Sequence, residues 1–164
     1  MPPKYEHTQK GSRLVYYSAI FVILECLALE ALVYVLGTRS EYLLPRNQLI
    51  LAMVLIPLVP GVVLGWAFLM MSSLTVSIDQ EYVRMRFGPG VWMKKFKLER
   101  IANCKPVKND WMNGWGIRYI SKGCWLYNIA GMKAVELTFK NGKKARIGTD
   151  EPEKLAEAIR EAIS

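Results

Sequence analysis

Two long apolar blocks, residues 14–36 and 49–71, limit most strongly what this chain can fold into. Each block covers 23 residues. As an α-helix a block of that size is roughly 34 Å long at ~1.5 Å per residue, enough to cross a hydrocarbon core of about 30 Å. The sequence therefore predicts a transmembrane hairpin of two α-helices over residues 14–71, preceded by a cytoplasmic tail over residues 1–13.

Two other interpretations of these blocks are weaker. Helices buried in a soluble bundle usually keep a polar stripe, and residues 49–71 have none. A cleaved signal peptide has an apolar core of only ~7–15 residues, which is shorter than the first block. Because a second apolar block also follows closely, we expect both blocks to stay in the membrane.

The distribution of Lys and Arg around the blocks predicts the sidedness of the hairpin. The tail holds Lys4, Lys10 and Arg13, and a basic segment follows the second block, whereas residues 37–48 hold two such side chains. We therefore expect a multi-pass protein of the plasma membrane with both termini in the cytoplasm. The three cysteines are too few and too scattered for a disulfide framework, which suits that compartment.

Two carboxylates, Glu25 and Glu30, lie within the first block. A charge near the bilayer centre costs at least ~2.5 kcal/mol, so such a residue usually faces a partner or a cavity, or is protonated. Five residues correspond to about 140° around a helix, so the two carboxylates lie on different faces. They indicate contact with another membrane protein, a proton or cation site, or protonated carboxyls hydrogen-bonded within a homo-oligomer.

An alternating pattern typical of β-strands begins directly after the second block. Apolar residues recur at positions 74, 76 and 78 and again at 83, 85 and 87, and Gly88 and Pro89 end the second run. A turn over residues 79–82 gives a hairpin with one apolar face. The pairs that this register predicts are Leu74 with Phe87, Val76 with Met85 and Ile78 with Val83.

A second hairpin is predicted around Asn141 and Gly142. A two-residue turn would mismatch the apolar faces of its strands, whereas a three-residue loop over residues 140–142, with Gly142 in the left-handed conformation, aligns them. The pairs that this register predicts are Leu137 with Ala145, Val135 with Ile147 and, on the solvent side, Glu136 with Arg146 and Thr138 with Lys144.

The chain ends in a predicted amphipathic helix. Asp150 is placed as its N-cap, Pro152 is tolerated in the first turn, and Glu153 completes a capping-box pattern. Its apolar stripe comprises Leu155, Ile159, Ala162 and Ile163. Strands followed by one such helix predict a β-sandwich or a partly open barrel that the helix closes.

Several of these segments together resemble the bacterial pleckstrin-homology-like (bPH) family of membrane proteins. The segments are residues 114–118 (GWGIR), 125–128 (WLYN), 134–137 (AVEL), 141–143 (NGK) and 147–155 (IGTDEPEKL). The resemblance covers residues 74–164 and implies an α+β PH-like domain, with two packed antiparallel sheets capped by a C-terminal helix. It also implies binding or assembly rather than catalysis. Residues 79–82 (DQEY) replace the Lys/Arg-rich first loop of phosphoinositide-binding pleckstrin domains, which argues against inositol-phosphate binding.

Basic and aromatic side chains suggest two binding surfaces on this domain. Residues 74–150 hold fifteen Lys and Arg against six Asp and Glu, so the domain should attract anionic headgroups if these side chains are not simply solvated strand faces. The candidate lipid contacts are Arg84, Arg86, Lys94, Lys95 and Lys97. The candidate ligand or partner groove comprises Trp115, Arg118, Trp125 and Tyr127, near Trp111 and Tyr119. These aromatic residues alternatively belong to the sheet core or to a membrane-interface belt.

The sequence shows no pattern typical of an active site. The single histidine, His7, lies in the tail, and no metal-ligand spacing or phosphate-binding loop is present. We therefore predict a membrane-anchored interaction or scaffold module that is not an enzyme and has no cofactor or metal. Its expected partners are membrane lipids and either another membrane protein or further copies of itself, and the anchor makes nucleic acid an improbable partner. The alternative function is a sensor of anionic lipid or of a small ligand through its basic face.

Overall fold

The computed structural model describes residues 3–39, 45–90, 92–120 and 123–163, which form two compact units. One unit comprises residues 13–68. The other, here called the sheet domain, comprises residues 3–12 and 69–163. The sheet domain is therefore built from two segments that the helical unit separates in the sequence.

The first unit holds α1 (Arg13–Arg39) and all but the last three residues of α2 (Arg46–Met71). The spans Tyr16–Val35 and Ile50–Met71 are long and apolar enough to cross a membrane, and their most apolar windows have no buried residue. The ring of Tyr16 lies 4.9 Å from that of Phe68, which brings the start of α1 beside the end of α2. The predicted pair of long apolar helices is therefore confirmed.

The sheet domain contains two sheets and a C-terminal helix, and this part of the fold prediction is confirmed. The first sheet is antiparallel, in the order β1 (Tyr5–Lys10), β2 (Ser73–Ile78), β3 (Tyr82–Phe87), β4 (Trp92–Lys97). The second sheet has the order β5 (Ile101–Lys108), β8 (Lys133–Phe139), β9 (Lys144–Gly148), β7 (Cys124–Asn128), β6 (Gly116–Ile120). The helix α3 covers Pro152–Ile163.

The expectation of two purely antiparallel sheets was wrong at one pair, because β7 and β9 are parallel. The hairpin of β8 and β9 inserts between β5 and β7, so β9 returns toward the end at which β7 also finishes. Both predicted hairpin registers are confirmed. Gly142 takes the left-handed conformation that the three-residue loop requires, with φ of 80°.

The predicted tail is largely a strand, which corrects the assignment of residues 1–13. Strand β1 pairs with β2 over six residues, from Tyr5 opposite Ile78 to Lys10 opposite Ser73. Strand β1 lacks a typical apolar face, because its inward positions are Tyr5, His7 and Gln9. For this reason no hydrophobic pattern in the sequence predicted the strand. Gln9 is nevertheless buried, and its amide donates to the carbonyl of Ala130 at 3.0 Å.

The two sheets pack with their strand ends aligned, and this defines two ends of the domain. At the connection end (residues 10–11, 72–73 and 88) the backbone amides of Gly11 and Gly88 donate to Ser72 and Ser73, and both chain segments leave for the helices. At the far end (residues 79–81, 98–100 and 140–143) the amide of Lys140 donates to the carbonyl of Arg100. The start of β4 meets the end of β7 near the connection end, where Trp92 stacks on Tyr127.

The core lies between the sheets and beneath α3. Alternate residues of β2 and β3 are fully buried, as are Val135, Leu137 and Ile147 of the second sheet. Of the predicted stripe on α3, Leu155 and Ile159 are 0% exposed, and Ala162 and Ile163 are partly buried against the core. Ala156, which the prediction did not include, is also 0% exposed. Each fully buried Leu or Ile contributes ~1.5–3 kcal/mol relative to an exposed one, so α3 stabilises the domain substantially.

The N-cap prediction for α3 was wrong. The helix begins one residue later, because the carbonyl of Glu151 accepts the first helical hydrogen bond, from the amide of Leu155. The Asp150 carboxylate instead lies 2.5 Å from Nε2 of His7 on β1, and Glu151 Oε2 lies 3.6 Å from Nδ1 of the same ring. A tertiary contact with β1 thus takes the side chain that the local pattern assigned to the cap.

We expect Ile159→Asp to destabilise the sheet domain by several kcal/mol, because it buries a carboxylate without a partner. Thermal unfolding in mild detergent, followed by circular dichroism, measures the effect. Glu157→Ala, on the exposed side of the same helix, should change stability by less than ~0.5 kcal/mol. Equal melting of parent and Ile159→Asp would show that α3 does not hold the sheets.

Candidate functional site: an aromatic groove with a basic rim

A groove of about 1300 Å³ opens between β4 of the first sheet and the β6, β7 and β8–β9 segments of the second. It lies beside one edge strand of each sheet, β4 in the first and β6 in the second. The aromatic side chains that line it are Trp92, Phe96, Tyr119, Trp125, Tyr127 and Phe139.

These rings point into the groove because successive side chains of a strand alternate between its two faces. Trp92 and Phe96 on β4 lie opposite Phe87 and Val83, whose side chains are buried in the core, so they share the inner face. Lys94 lies between them on that same face. On β7, Trp125 and Tyr127 share a face because they are two residues apart.

The rings form a continuous surface. Tyr127 stacks between Trp92, at a centroid distance of 5.8 Å, and Trp125, at 6.5 Å. Tyr127 is 5% exposed and forms the floor, while Trp125 is 45% exposed and lies at the rim. Burial raises the pKa of Tyr127 and so favours its neutral hydroxyl form. A flat apolar ligand surface would therefore find a preformed aromatic wall here.

The rim of the groove is basic. Among its described lining residues, Glu99 is the one acidic side chain, and it lies 3.2 Å from Lys97 Nζ. Lys95 Nζ lies 4.9 Å from the centre of the Tyr82 ring. The cationic lining residues are Lys94, Lys95, Lys97, Arg100, Lys140, Lys143 and Lys144. A concave surface lined by one sign of charge raises the local concentration of anionic ligands.

The ammonium group of Lys144 is held away from the aromatic wall by a buried carboxylate, Glu136, which lies on the other face of the second sheet. Glu136 Oε1 accepts a hydrogen bond from Lys144 Nζ at 3.1 Å, and Oε2 accepts one from Arg146 Nε at 2.9 Å. The predicted pairing of Glu136 with Arg146 is confirmed, but its placement on the solvent side was wrong, since Glu136 is 3% exposed. Burial by itself would raise the pKa of Glu136. The hydrogen bonds and charges of Lys144 and Arg146 outweigh that effect and lower it.

The structure places the sequence-predicted groove residues on two faces. Trp125 and Tyr127 line the groove, but Trp115 and Arg118 do not. Arg118 lies opposite Leu126, on the other face of the second sheet, and its Nε donates to the carbonyl of Trp115 at 3.0 Å. The prediction failed for these two because proximity in sequence does not specify the face of a strand.

The predicted lipid contacts are also divided. Lys94 lies on the inner face of β4, between the groove residues Trp92 and Phe96. Lys95 and Lys97 border the groove at the edge of β4, but their side chains lie on the outer face of the sheet, together with Arg84 and Arg86. Arg84 Nε is 2.6 Å from Asp79 Oδ2 and is thus already paired.

Sequence reasoning missed half of the aromatic wall and most of the far-end cations. These residues are Trp92, Phe96, Phe139, Arg100, Lys140, Lys143 and Lys144. The spacing of Trp92 and Phe96 around Lys94 was a signal for one aromatic strand face. The contribution of the hairpin loop could not be found, because its approach to β4 depends on the packing of the sheets.

The intramembrane carboxylates lie outside this groove, in the helical unit. Glu25 is exposed on α1 and Glu30 is half-buried. Within the described parts of the chain, no cluster of three or more His, Cys, Asp or Glu side chains is arranged to hold a metal ion.

We expect Glu136→Gln to cost about 2 kcal/mol at neutral pH, because it leaves Arg146 and Lys144 without their charged partner. The folded-state pKa of Glu136 is lowered, so its contribution is complete above the unfolded value of ~4.3 and disappears as the pH falls through the folded value. The difference in melting temperature between parent and variant, recorded from about pH 7 to pH 3, should therefore shrink at the acidic end.

Glu99→Gln is the matched control for this prediction. Its carboxylate is 67% exposed and pairs with a half-exposed lysine, so the change should cost less than ~1 kcal/mol. A difference between the Glu136 variant and the parent that did not vary with pH would contradict the assigned role of Glu136.

We expect Glu25→Leu to leave membrane insertion intact while reducing the size of any complex recovered in mild detergent. A carboxylate facing lipid is costly, so its replacement favours insertion but removes a contact between subunits if one exists. Mass photometry of the parent, Glu25→Leu and Glu30→Leu measures the effect, and the two variants should act separately because their faces differ. Unchanged size for both variants would remove the assembly role.

In comparisons with known proteins, the chain matched no protein-family model, and neither a curated protein nor a solved structure was similar to it.

Proposed function

We propose that this protein is a membrane-anchored interaction module whose groove binds an acidic, partly apolar segment of another protein. The observation that carries the proposal is the combination of an aromatic wall with Lys94 among its rings and with Arg100, Lys140 and Lys143 at the far end of the same concave site. The PH-like nature of the sheet domain and a location in the plasma membrane with both termini in the cytoplasm belong to the same proposal.

Anchoring in a membrane is supported by the exposure of the helices. An apolar helix in the core of a soluble protein is mostly buried, whereas the two candidate spans have no buried residue in their most apolar windows. Large apolar side chains such as Phe21, Leu58 and Val62 are more than half exposed. In water such a surface would be unstable, so lipid or another membrane protein is expected to cover it.

A protein segment is favoured over a lipid headgroup by where the cations lie. Arg100, Lys140 and Lys143 are at the far end of the domain, opposite to the end from which both connections to the helices leave. Lys97 is five residues beyond Trp92 along β4, roughly 17 Å at ~3.3 Å per residue. The most basic part of the groove is therefore accessible to a segment that does not lie in the membrane surface.

Strand β4 offers the partner a backbone as well as side chains. It pairs with β3 on one side and ends the first sheet, so its outer edge presents amide and carbonyl groups to an extended segment. A segment added there would direct alternate side chains toward the aromatic wall. Carboxylates on such a segment would reach Lys94 and the hairpin lysines.

A library of random peptides displayed on phage tests the proposal. The full-length protein, held in nanodiscs of phosphatidylcholine, should enrich peptides that combine Asp or Glu with aromatic or aliphatic residues. A selected peptide should bind Lys94→Glu or Trp125→Ala at least about tenfold more weakly, which corresponds to ~1.4 kcal/mol. Salt should weaken the binding, because the rim charges are exposed.

Lys154→Glu is the control, since it makes the same change in charge on an exposed residue of α3 that lies outside the groove. No enrichment, or equal binding by the groove variants and the control, would overturn the proposal. Binding of the parent to vesicles containing phosphatidylglycerol that Lys94→Glu abolishes, without peptide enrichment, would favour the lipid-sensing alternative instead.

A further inference from the structure

An exposed apolar tip lies outside the groove, on the loop between β5 and β6. Trp111 and Met112 form a single 3-10 turn with Asn113, and their side chains are 81% and 76% exposed. Met132, at the neighbouring loop between β7 and β8, is 44% exposed. These three residues, here called the apolar tip, include the two most exposed large apolar side chains of the sheet domain among the described residues.

Hydrogen bonds place the apolar tip at the connection end. Gln9 pairs with Leu74, next to the point at which β2 leaves α2, and its side chain donates to the carbonyl of Ala130. Two residues further along, the carbonyl of Met132 accepts a 2.6 Å hydrogen bond from the amide of Asn109. Trp111 follows Asn109 by two residues, which limits their Cα separation to about 7 Å.

The alignment of the sheets gives the same result independently. Trp92 begins β4 near the connection end, and its ring stacks on that of Tyr127, one residue before the end of β7. The end of β5, the start of β6 and the start of β8 lie at that same end of the second sheet, since Lys108 pairs with Lys133 and Gly116 pairs with Asn128.

The loops that carry the tip are held firmly. Asn109 is 3% exposed, and its side-chain oxygen accepts a hydrogen bond from Arg146 at 3.2 Å. The side chain of Asn128 bridges the second loop, donating to the carbonyl of Gly131 and accepting from the amide of Ala130. The exposed side chains thus project from loops that hydrogen bonds tie to the rest of the sheet domain.

Two lysines flank the tip. Lys108 pairs with Lys133 at the ends of β5 and β8, next to the two loops of the tip, and both side chains are exposed, while Asp110 is the acidic residue of the loop itself. A Trp with neighbouring apolar side chains and flanking lysines is the composition that favours the boundary between headgroups and acyl chains.

We propose that the apolar tip inserts into the membrane interface beside the anchor, so that the sheet domain is held to the bilayer at a third point. This inference rests on the anchoring part of the proposed function, because both chain connections leave the domain at the end that carries the tip. Insertion there would keep the far end of the groove turned toward the aqueous phase.

Fluorescence quenching in vesicles tests the insertion. An environment-sensitive dye (NBD) is attached at Met112→Cys, at Asn141→Cys on the far end, and at Leu58→Cys within α2. Each full-length variant is reconstituted in vesicles of phosphatidylcholine and phosphatidylglycerol, with a nitroxide lipid as quencher. Cys104 and Cys124 are buried, and the parent protein taken through the same labelling measures the background from Cys26.

We expect about threefold stronger quenching at position 112 than at position 141, because an interfacial side chain lies ~5–10 Å within the headgroup boundary. The label at position 58 should be quenched most by a nitroxide deep in the acyl region. If the label at position 58 is quenched and those at 112 and 141 are equally weakly quenched, the insertion of the tip is overturned while the anchoring stands. Absence of quenching at 58 would overturn both this inference and the anchoring.

Because Met112→Cys replaces part of the tip, a second pair of variants keeps the test independent of that change. Trp111→Ser in the Lys133→Cys background should shift the emission of the label at position 133 toward that of an aqueous dye. The matched change Trp125→Ser in the same background should leave it unaltered. Equal emission from both variants would contradict a role of Trp111 in holding this end at the interface.

Discussion

The antiparallel pairing of β1 with β2 is the contact on which the rest of the structure depends. Its last pair joins Lys10 to Ser73, so the whole helical unit lies between two adjacent residues of one sheet. The entropic cost of closing a loop grows only with the logarithm of its length, so a long insertion is tolerated. The pairing makes β2 an interior strand and brings both connections to the helices to one end of the domain.

Strand β1 also links parts of the domain that would otherwise meet only through the core. Its His7 faces Asp150 and Glu151 at the start of α3, and its Gln9 binds the loop that follows β7. These polar contacts replace the apolar face that β1 lacks.

Because the strand ends of the two sheets are aligned, the cationic residues and the exposed apolar residues of the domain lie at opposite ends. The aromatic wall extends between them, from Trp92 to Phe139, and the densest cations lie at the far end with Arg100 and Lys140. The exposed Trp111 and Met112 lie at the connection end.

What the sequence by itself determined were the features that local periodicity encodes. The two apolar helices, the registers of both predicted hairpins and the stripe of α3 follow from spacings of side chains, because a strand or helix repeats over a few residues. Trp125, Tyr127 and Lys94 were identified as candidate site residues on composition alone, the two aromatic residues for one surface and the lysine for another. Their joint position in one groove was not.

Only the tertiary structure decided which distant segments meet. No pattern within residues 5–10 indicates a strand, since its pairing partner is more than sixty positions away and its stabilising contacts are polar. The same reason explains why Asp150 binds His7 rather than capping α3, why β9 runs parallel to β7, and why Trp115 and Arg118 lie away from the groove. Each of these outcomes depends on the face or the end that another element presents, which a local sequence window does not contain.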